Sequence, residues 1–598
     1  MVGSGGALTS GGGSSAALAI ASGTLSSGTL NGTLNVSASS SFTVNVGTIK
    51  VGTTTASGGT PAIVGTLNLG TNNSLTAATS IVFGDMGNAL NTVVQPVTTA
   101  ANGITTMLTP SLTVGGSKAS STFTLGSNAR LNLGTSGNRT ALSIGVSPQG
   151  GSGSYTGNLN LAAGLFEGYL SSLTLGQLSN GSSGNQVGLV TIGANAANRL
   201  DISGPGTVVT LGRFVSGSGV GKAFGTLTIN NLDASSIITS TGNGTAILLG
   251  ATANSTGTLA LNGGTLTLKT TGAAIAGGTG TSTVNLNGVT LRAGTNSTSF
   301  ITNLNSANLN AGGAMFDTAG FNITVAQALA GSGALTKFGA GKLTLSRVNT
   351  YLGATTVGAG TLALVESATI ANSSVITVSN AAVLDVTGRA DQTLALNNAR
   401  TLRGGGTVLG KLNALAGSAV NPGDSIGTLT VQSDITLAGT LLMELNRTNT
   451  QTSDRLVSPG GTISAGGTLT VTNLGPALQA GDSFQLFSAP VSGFGTVNLP
   501  NVGPTLAWTN QLAVDGTLAV VPAVATNPTN LLAVVSGNSL TLSWPADHIG
   551  WKLQTQTNTT SVGLSTNWMD VAESIATNEM TFPLGPDAGS VFFRLAYP

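Results

Sequence analysis

The sequence predicts an all-β protein, a long parallel β-helix (β-solenoid) rod followed by a small antiparallel β-sandwich. Short alternating runs closed by Gly or Asn recur along it, as in Gly65-Thr66-Leu67-Asn68-Leu69-Gly70, Ser172-Leu173-Thr174-Leu175-Gly176, Gly225-Thr226-Leu227-Thr228-Ile229-Asn230 and Gly257-Thr258-Leu259-Ala260-Leu261-Asn262. A period of two turns the aliphatic side chains to one face and Thr or Asn to the other, while Gly or Asn supplies the positive φ of a tight turn. Strand-ending glycines fall at Gly176, Gly193, Gly212 and Gly250, with gaps of 17, 19 and 38. A recurrence near about twenty residues is the signature of a stacked coil.

Composition weighs against the competing classes. Gly makes up 88 of 598 residues, and charged residues are 7% against roughly 25% in ordinary domains. The 40% hydrophobic content is too high for a disordered chain. Gly3-Ser4-Gly5-Gly6 breaks the every-third-glycine rule of collagen. A β-propeller needs a recurring aromatic mark in each blade, and aromatics are 4%.

Twenty basic and nineteen acidic residues leave a net charge of +1, without the clustered cations that a nucleic-acid partner requires. Zero Cys removes disulfides, thiol catalysis and Cys-ligated metals. The most apolar stretch, Leu518 to Val535, is interrupted by Pro522, Asn527, Pro528 and Asn530, so no membrane span is expected. Met1-Val2-Gly3-Ser4 lacks the basic and apolar regions of a signal peptide. The start reads as the inside of a repeat, from a processed product or an incomplete gene.

Four segments follow in order. Residues 1–410 are expected to form the solenoid rod, with 60–400 as parallel coils almost free of helix, and 411–521 to continue it. Residues 522–527 form a linker, overlapping a Pro-bearing hinge from Ala523 to Thr529. Residues 528–598 form the sandwich. In this last segment glycine thins to Gly537, Gly550, Gly563, Gly585 and Gly589, while three of the four Trp (Trp544, Trp551, Trp568) and the only His gather there. Its alternating runs Ser539 to Trp544, Trp551 to Gln554 and Val591 to Leu595 read as strands.

Residues 331 to 364 read GSGALTKFGAGKLTLSRVNTYLGATTVGAGTLAL. Gly331, Gly333, Leu335, Lys337, Gly339, Gly341, Leu343, Leu345, Asn349, Thr350, Tyr351, Gly353, Thr355, Val357, Gly360, Thr361 and Leu362 carry a pattern that resembles the autotransporter-associated β-strand repeat. Arg347-Val348 and Leu352 depart from it. Asn421-Pro422-Gly423-Asp424-Ser425-Ile426-Gly427-Thr428-Leu429-Thr430-Val431, followed by Gly439-Thr440-Leu441, Glu444 and Ser453-Asp454-Arg455-Leu456, resembles the P-G-x-S-I-G-T-L-T-V stretch of autotransporter passengers. Physically, Pro422 and Gly423 stop one strand, Asp424 and Ser425 can close the turn, and Thr428 to Val431 starts the next. The ending Phe592-Phe593-Arg594-Leu595-Ala596-Tyr597-Pro598 is similar to C-terminal modules of large secreted proteins of Gram-negative bacteria. These resemblances imply an exported passenger-like β-helix.

No catalytic, cofactor-binding or metal-ligating residue is predicted. His548, in Pro545-Ala546-Asp547-His548, reads as a solvated turn histidine. Before Phe321 the only acids are Asp85, Glu167, Asp201, Asp233 and Asp317, whereas a glycosidase needs a carboxylate pair and a Ca²⁺-assisted site several acids. Asp385 with Asp391, then Asp424, Asp434 and Glu444, read as turn-closing residues. Gly341-Lys342, with Thr336 at the leading position, and Gly221-Lys222, with Ser216 there, both lack the first glycine of a phosphate loop. Gly277 to Ser282 lacks the Asp of a Ca²⁺-binding repeat.

The expected function is that of a non-enzymatic structural or adhesive solenoid, extracellular or on the outer surface of a Gram-negative bacterium. Its expected partners are itself, head to tail in a fibre, or a surface polysaccharide. Residues 1–30 contain no charge, aromatic or Pro, so nothing blunts a terminal coil edge. A missing N-terminus would explain that equally. The alternative is a secreted polysaccharide lyase or glycosidase on the same scaffold. An export barrel would need roughly twelve strands, more than residues 528–598 hold, so the expectation is a separate export machinery or a sorting role for the module.

Overall fold

In the strand Ala223–Ile229 every second position is buried, with Leu227 and Ile229 inside and Thr226 and Thr228 half-exposed. The strand pairs in parallel with Gln186–Ile192 on one side and Ser255–Leu261 on the other. Val190, Leu227 and Leu259 therefore stack in one column, and Ile192, Ile229 and Leu261 in the next. Each strand's alternation thus feeds a common aliphatic core.

This computed structural model describes residues 7–24, 27–54, 62–87, 97–98, 103–148, 153–179, 184–216, 220–585 and 589–597. Among them there is no α-helix, only the 3₁₀ turns Ala546–His548 and Ser574–Ala576. No helix is long and apolar enough to cross a membrane. The chain divides into two compact units. The first runs to Asp424 and includes Thr428–Thr440 and Ser458–Ile463; the second comprises Ser425–Gly427, Leu441–Val457 and Ser464–Pro598.

The first unit is a parallel β-helix. Ser255–Leu261, Thr265–Lys269 and Ile275–Gly277 make one coil, and Thr281–Leu286, Val289–Ala293 and Ser297–Thr302 repeat it one layer on. Coil length is where the sequence reading needs correction. Leu175 pairs with Leu211 and Leu211 with Leu249, so Gly176, Gly212 and Gly250 lie on one column, each a full coil from the next. Gly193 follows the opposite strand Gln186–Ile192, so the gap from Gly176 to Gly193, or from Gly193 to Gly212, spans only half a coil. The coil tightens to about that shorter length only later, where Leu335 pairs with Thr355 and Leu343 with Leu362.

Two glycine columns let the wide coils close. Gly145, Gly176, Gly212 and Gly250 adopt φ of +61°, +62°, +73° and +53°, a left-handed conformation that suits glycine. Facing them, Gly157, Gly188, Gly225 and Gly257 stack in register. A β-carbon on Gly188 would strike the amide nitrogen of Gly176 and the carbonyl of Ile144, and one on Gly225 would strike Gly212 and Leu175. The two sheets approach backbone to backbone along this line.

The second unit begins with parallel pairing, Thr468–Asn473 with Thr496–Asn498. Part of 411–521, read above as further solenoid, departs from it. Ser483–Gln485, Thr517–Pro522 and Leu506–Gln511 form an antiparallel sheet, because the loop after Gln511 reverses through Gly516 at φ +81° and Asp515 accepts the Thr517 N–H at 3.0 Å. The C-terminal module is the expected pair of small antiparallel sheets. Ser539–Ser543 lies between Leu532–Ser536 and Glu579–Pro583, and Lys552–Asn558 between Met569–Asp570 and Ser590–Ala596. Leu542, Trp544 and Leu553 form its core, with the Phe582 and Phe593 rings 4.8 Å apart. The segment expected as a hinge is hydrogen-bonded to the module: the Ala525 N–H donates to the Asp547 carbonyl at 2.7 Å and the Trp551 indole to the Ala525 carbonyl at 2.7 Å.

Candidate functional site: the polar interior of the repeat

In Leu335-Thr336-Lys337-Phe338 the alternation that buries Leu335 also buries Lys337, which is wholly inaccessible. A buried ammonium needs acceptors on every side. Lys337 Nζ donates to Phe338 O at 2.9 Å, Gly339 O at 2.6 Å and Ala359 O at 2.9 Å, and reaches Thr318 Oγ1 at 3.1 Å. Thr318 belongs to the coil before it and Ala359 to the coil after, so one side chain joins three successive coils. Burial pulls its pKa down to about 8, and the Asp317 charge opposes that fall.

Asn349 does the same at another corner. Its Oδ1 accepts the Leu329 N–H at 3.0 Å, and its Nδ2 donates to Arg347 O at 2.9 Å and Thr369 O at 3.2 Å. Tyr351 is fully buried, its hydroxyl 2.6 Å from Thr355 Oγ1. From there the chain passes to Ser373 Oγ at 2.9 Å and on to Gly353 O at 2.8 Å. Burial pushes the Tyr351 phenol far above its ordinary value.

In the second unit Asp454 is buried, and its carboxylate accepts the Gly427 N–H at 2.8 Å and the Glu444 N–H at 2.7 Å. Three parts of the second resemblance thereby meet: Gly427 of the turn, Glu444 and Asp454. Burial pushes this carboxyl up to about 7, against the two N–H donors that lower it. None of these roles was assigned from the sequence. For Lys337 a signal existed, since it shares a face with Leu335.

Most of the other acids close turns or pair with nearby groups. Asp385 accepts the Thr387 N–H at 2.9 Å and hydroxyl at 2.6 Å, and Asp391 the Thr393 N–H at 3.2 Å and the Arg389 guanidinium at 3.0 Å. The Arg389 bond holds Asp391 below its ordinary pKa. Asp434 accepts the Thr462 N–H at 3.2 Å. Asp424 is exposed. Asp233 caps Ser235 and Ser236, Asp85 accepts the Gly87 N–H at 3.0 Å, and Asp317 the Ala319 N–H at 2.8 Å.

Glu167 and Asp201 belong to one network, Glu167 paired with Arg130 and Asp201 with Arg139 at 2.8 Å, while Arg139 and Arg199 approach the Tyr169 ring. A groove of about 530 Å³ beside Arg139 is lined by Thr76, Leu108, Pro110 and Asn138, with no carboxylate among its lining residues. Among the described residues no three His, Asp or Glu side chains gather as metal ligands.

His548 corrects the reading of a solvated turn residue. It is 2% exposed, covered by the Trp551 ring at 5.1 Å.

The fold and these inward-facing polar residues define a class: a repetitive parallel β-solenoid, consistent with the autotransporter type. A family model described as the passenger-associated-transport-repeat matches residues 335–364, the segment fastened by Lys337, Asn349 and Tyr351. No curated protein matches the chain.

Proposed function

We propose that the chain is a non-enzymatic structural or adhesive scaffold of the extracellular space or outer surface of a Gram-negative bacterium. One observation carries the reading: the repeat's most distinctive side chains face inward, Lys337 and Asn349 binding neighbouring coils directly and Tyr351 reaching the next coil through Thr355 and Ser373. Residues that bond coil to coil build length and stiffness, and they leave a surface of Thr, Ser and Asn for weak multivalent contact. Similarity to a passenger-associated-transport-repeat supports export. The partners proposed are a second copy, head to tail, or a surface polysaccharide.

The test is incubation of the purified chain with acidic and neutral polysaccharides, following both retention on the polymer and release of products. Retention without new reducing ends or unsaturated products is expected. Product release abolished by Asp385→Asn would replace the scaffold reading with that of a lyase or glycosidase.

A further inference from the structure

We infer that His548 is a proton-operated latch holding the linker 522–527 against the C-terminal module. The inference is independent of the scaffold reading. His548 Nδ1 lies 2.7 Å from Asp547 Oδ1 and Nε2 lies 2.8 Å from Asn527 O. A carboxylate and a carbonyl can only accept. A neutral imidazole has a single N–H, so either tautomer leaves one ring lone pair facing an oxygen at hydrogen-bond distance. Only the imidazolium donates to both.

Water offers little relief, because the ring is 2% exposed and lies against Trp551. Trp551 holds the same linker through Ala525 O, and Ala525 N–H donates to the Asp547 carbonyl. The Asp547-His548 pair and Trp551 therefore grip the chain at Ala525 and at Asn527. Losing the proton removes one charge-assisted bond and leaves a repulsive contact in its place.

Among the described residues no cation pairs with Asp547 other than His548 itself. Asp547 is the charge facing the ring, and the linker from Ala523 to Thr529 carries none. On the strand Lys552–Asn558, Lys552 turns to Asp570 at 3.0 Å. The turn behind Gly550, reached through the Gly550 N–H to Ile575 O, carries an exposed Glu573. Tyr597 packs edge-on against Trp551 at 5.5 Å. Burial alone would lower the His548 pKa, yet the Asn527 carbonyl and Asp547 hold it above the ordinary 6.5. With a raised folded-state pKa, the latch contributes fully below the unfolded value and is lost as pH rises through the folded one.

As the only His in the chain, His548 can be followed alone. The experiment is nitrogen NMR of the imidazole in the full-length chain from about pH 5 to about pH 9, alongside hydrogen exchange of the Ala525 amide corrected for its intrinsic pH dependence. Both ring nitrogens should be protonated at pH 6.5, with the midpoint above it. Ala525 protection should fall about tenfold across the titration, the worth of one charge-assisted hydrogen bond. Asp547→Asn should lower the midpoint, and His548→Gln should leave Ala525 at the released level at every pH. A midpoint at or below 6.5, or Ala525 protection unchanged through it, overturns the latch. If His548→Gln unfolds the module, Asp547→Asn, at a side chain 61% exposed, still decides: an unmoved midpoint rejects the mechanism.

Discussion

Gly188 faces the backbone nitrogen of Gly176 so closely that a β-carbon on Gly188 would strike it, with no room for a methyl group between them. Gly188→Ala must push the two sheets apart, and overpacking of this kind costs about 1–3 kcal/mol. The urea midpoint of the first unit is expected to fall. Gly137→Ala, whose β-carbon meets open space, should leave it where it is. Equal midpoints for the two variants would mean that the glycine columns do not set the sheet spacing.

Asp454 makes the second unit sensitive to pH in an unusual direction. Its folded-state value, about 7, lies above the unfolded 3.8, so the native state binds more protons between them. Stability from this group is therefore present at low pH and is lost as pH rises from about 4 to about 7, by a few kcal/mol at most. Asp454→Asn should flatten that part of the profile, at the expense of one backbone N–H left without an acceptor. Thermal melts of both proteins at several pH values across this range check it, and an equal slope in the variant would contradict it.

Alternation placed the strands and their buried faces correctly, because the two-residue period is a local property of the chain. The same period, applied to Lys337, puts it beside Leu335 on the inner face, a signal the sequence reading did not use; its acceptors were not legible, since Gly339 O and Ala359 O arrive through the turn and the stacking of the next coil. The same limit produced the half-coil error at Gly193: alternation says which face is buried, not which strand stacks on which. Strand direction is equally silent, which is why Leu506–Gln511 and Thr517–Pro522 read as coils until Gly516 turns them back. For His548, the turn residues Pro545 to Asp547 argued for solvent, while the cover comes from Trp551, in the strand that follows.

Tyr351→Phe removes the hydroxyl that meets Thr355 Oγ1 at 2.6 Å, while Thr355 keeps its bond to Ser373. A loss of about 1 kcal/mol in the first unit is expected, against almost none for Leu352→Ala, a neighbour that is 56% exposed. Denaturant midpoints for the pair separate an interior fastener from a surface residue. A Leu352→Ala loss as large as that of Tyr351→Phe would contradict the assignment.

Fastening of coil to coil by the repeat's own polar residues is tested most directly at Lys337. Lys337→Met keeps the length of the side chain but leaves the carbonyls of Phe338, Gly339 and Ala359 without their donor, a change worth about 3 kcal/mol. Hydrogen exchange with peptide resolution, on the intact chain and the variant, reads where the loss falls. Protection should drop together in Ala314–Asp317, Leu335–Phe338 and Thr355–Val357, the strands of three successive coils, and stay unchanged in residues 528–585. Unaltered protection in all three strands would contradict the fastening role of Lys337.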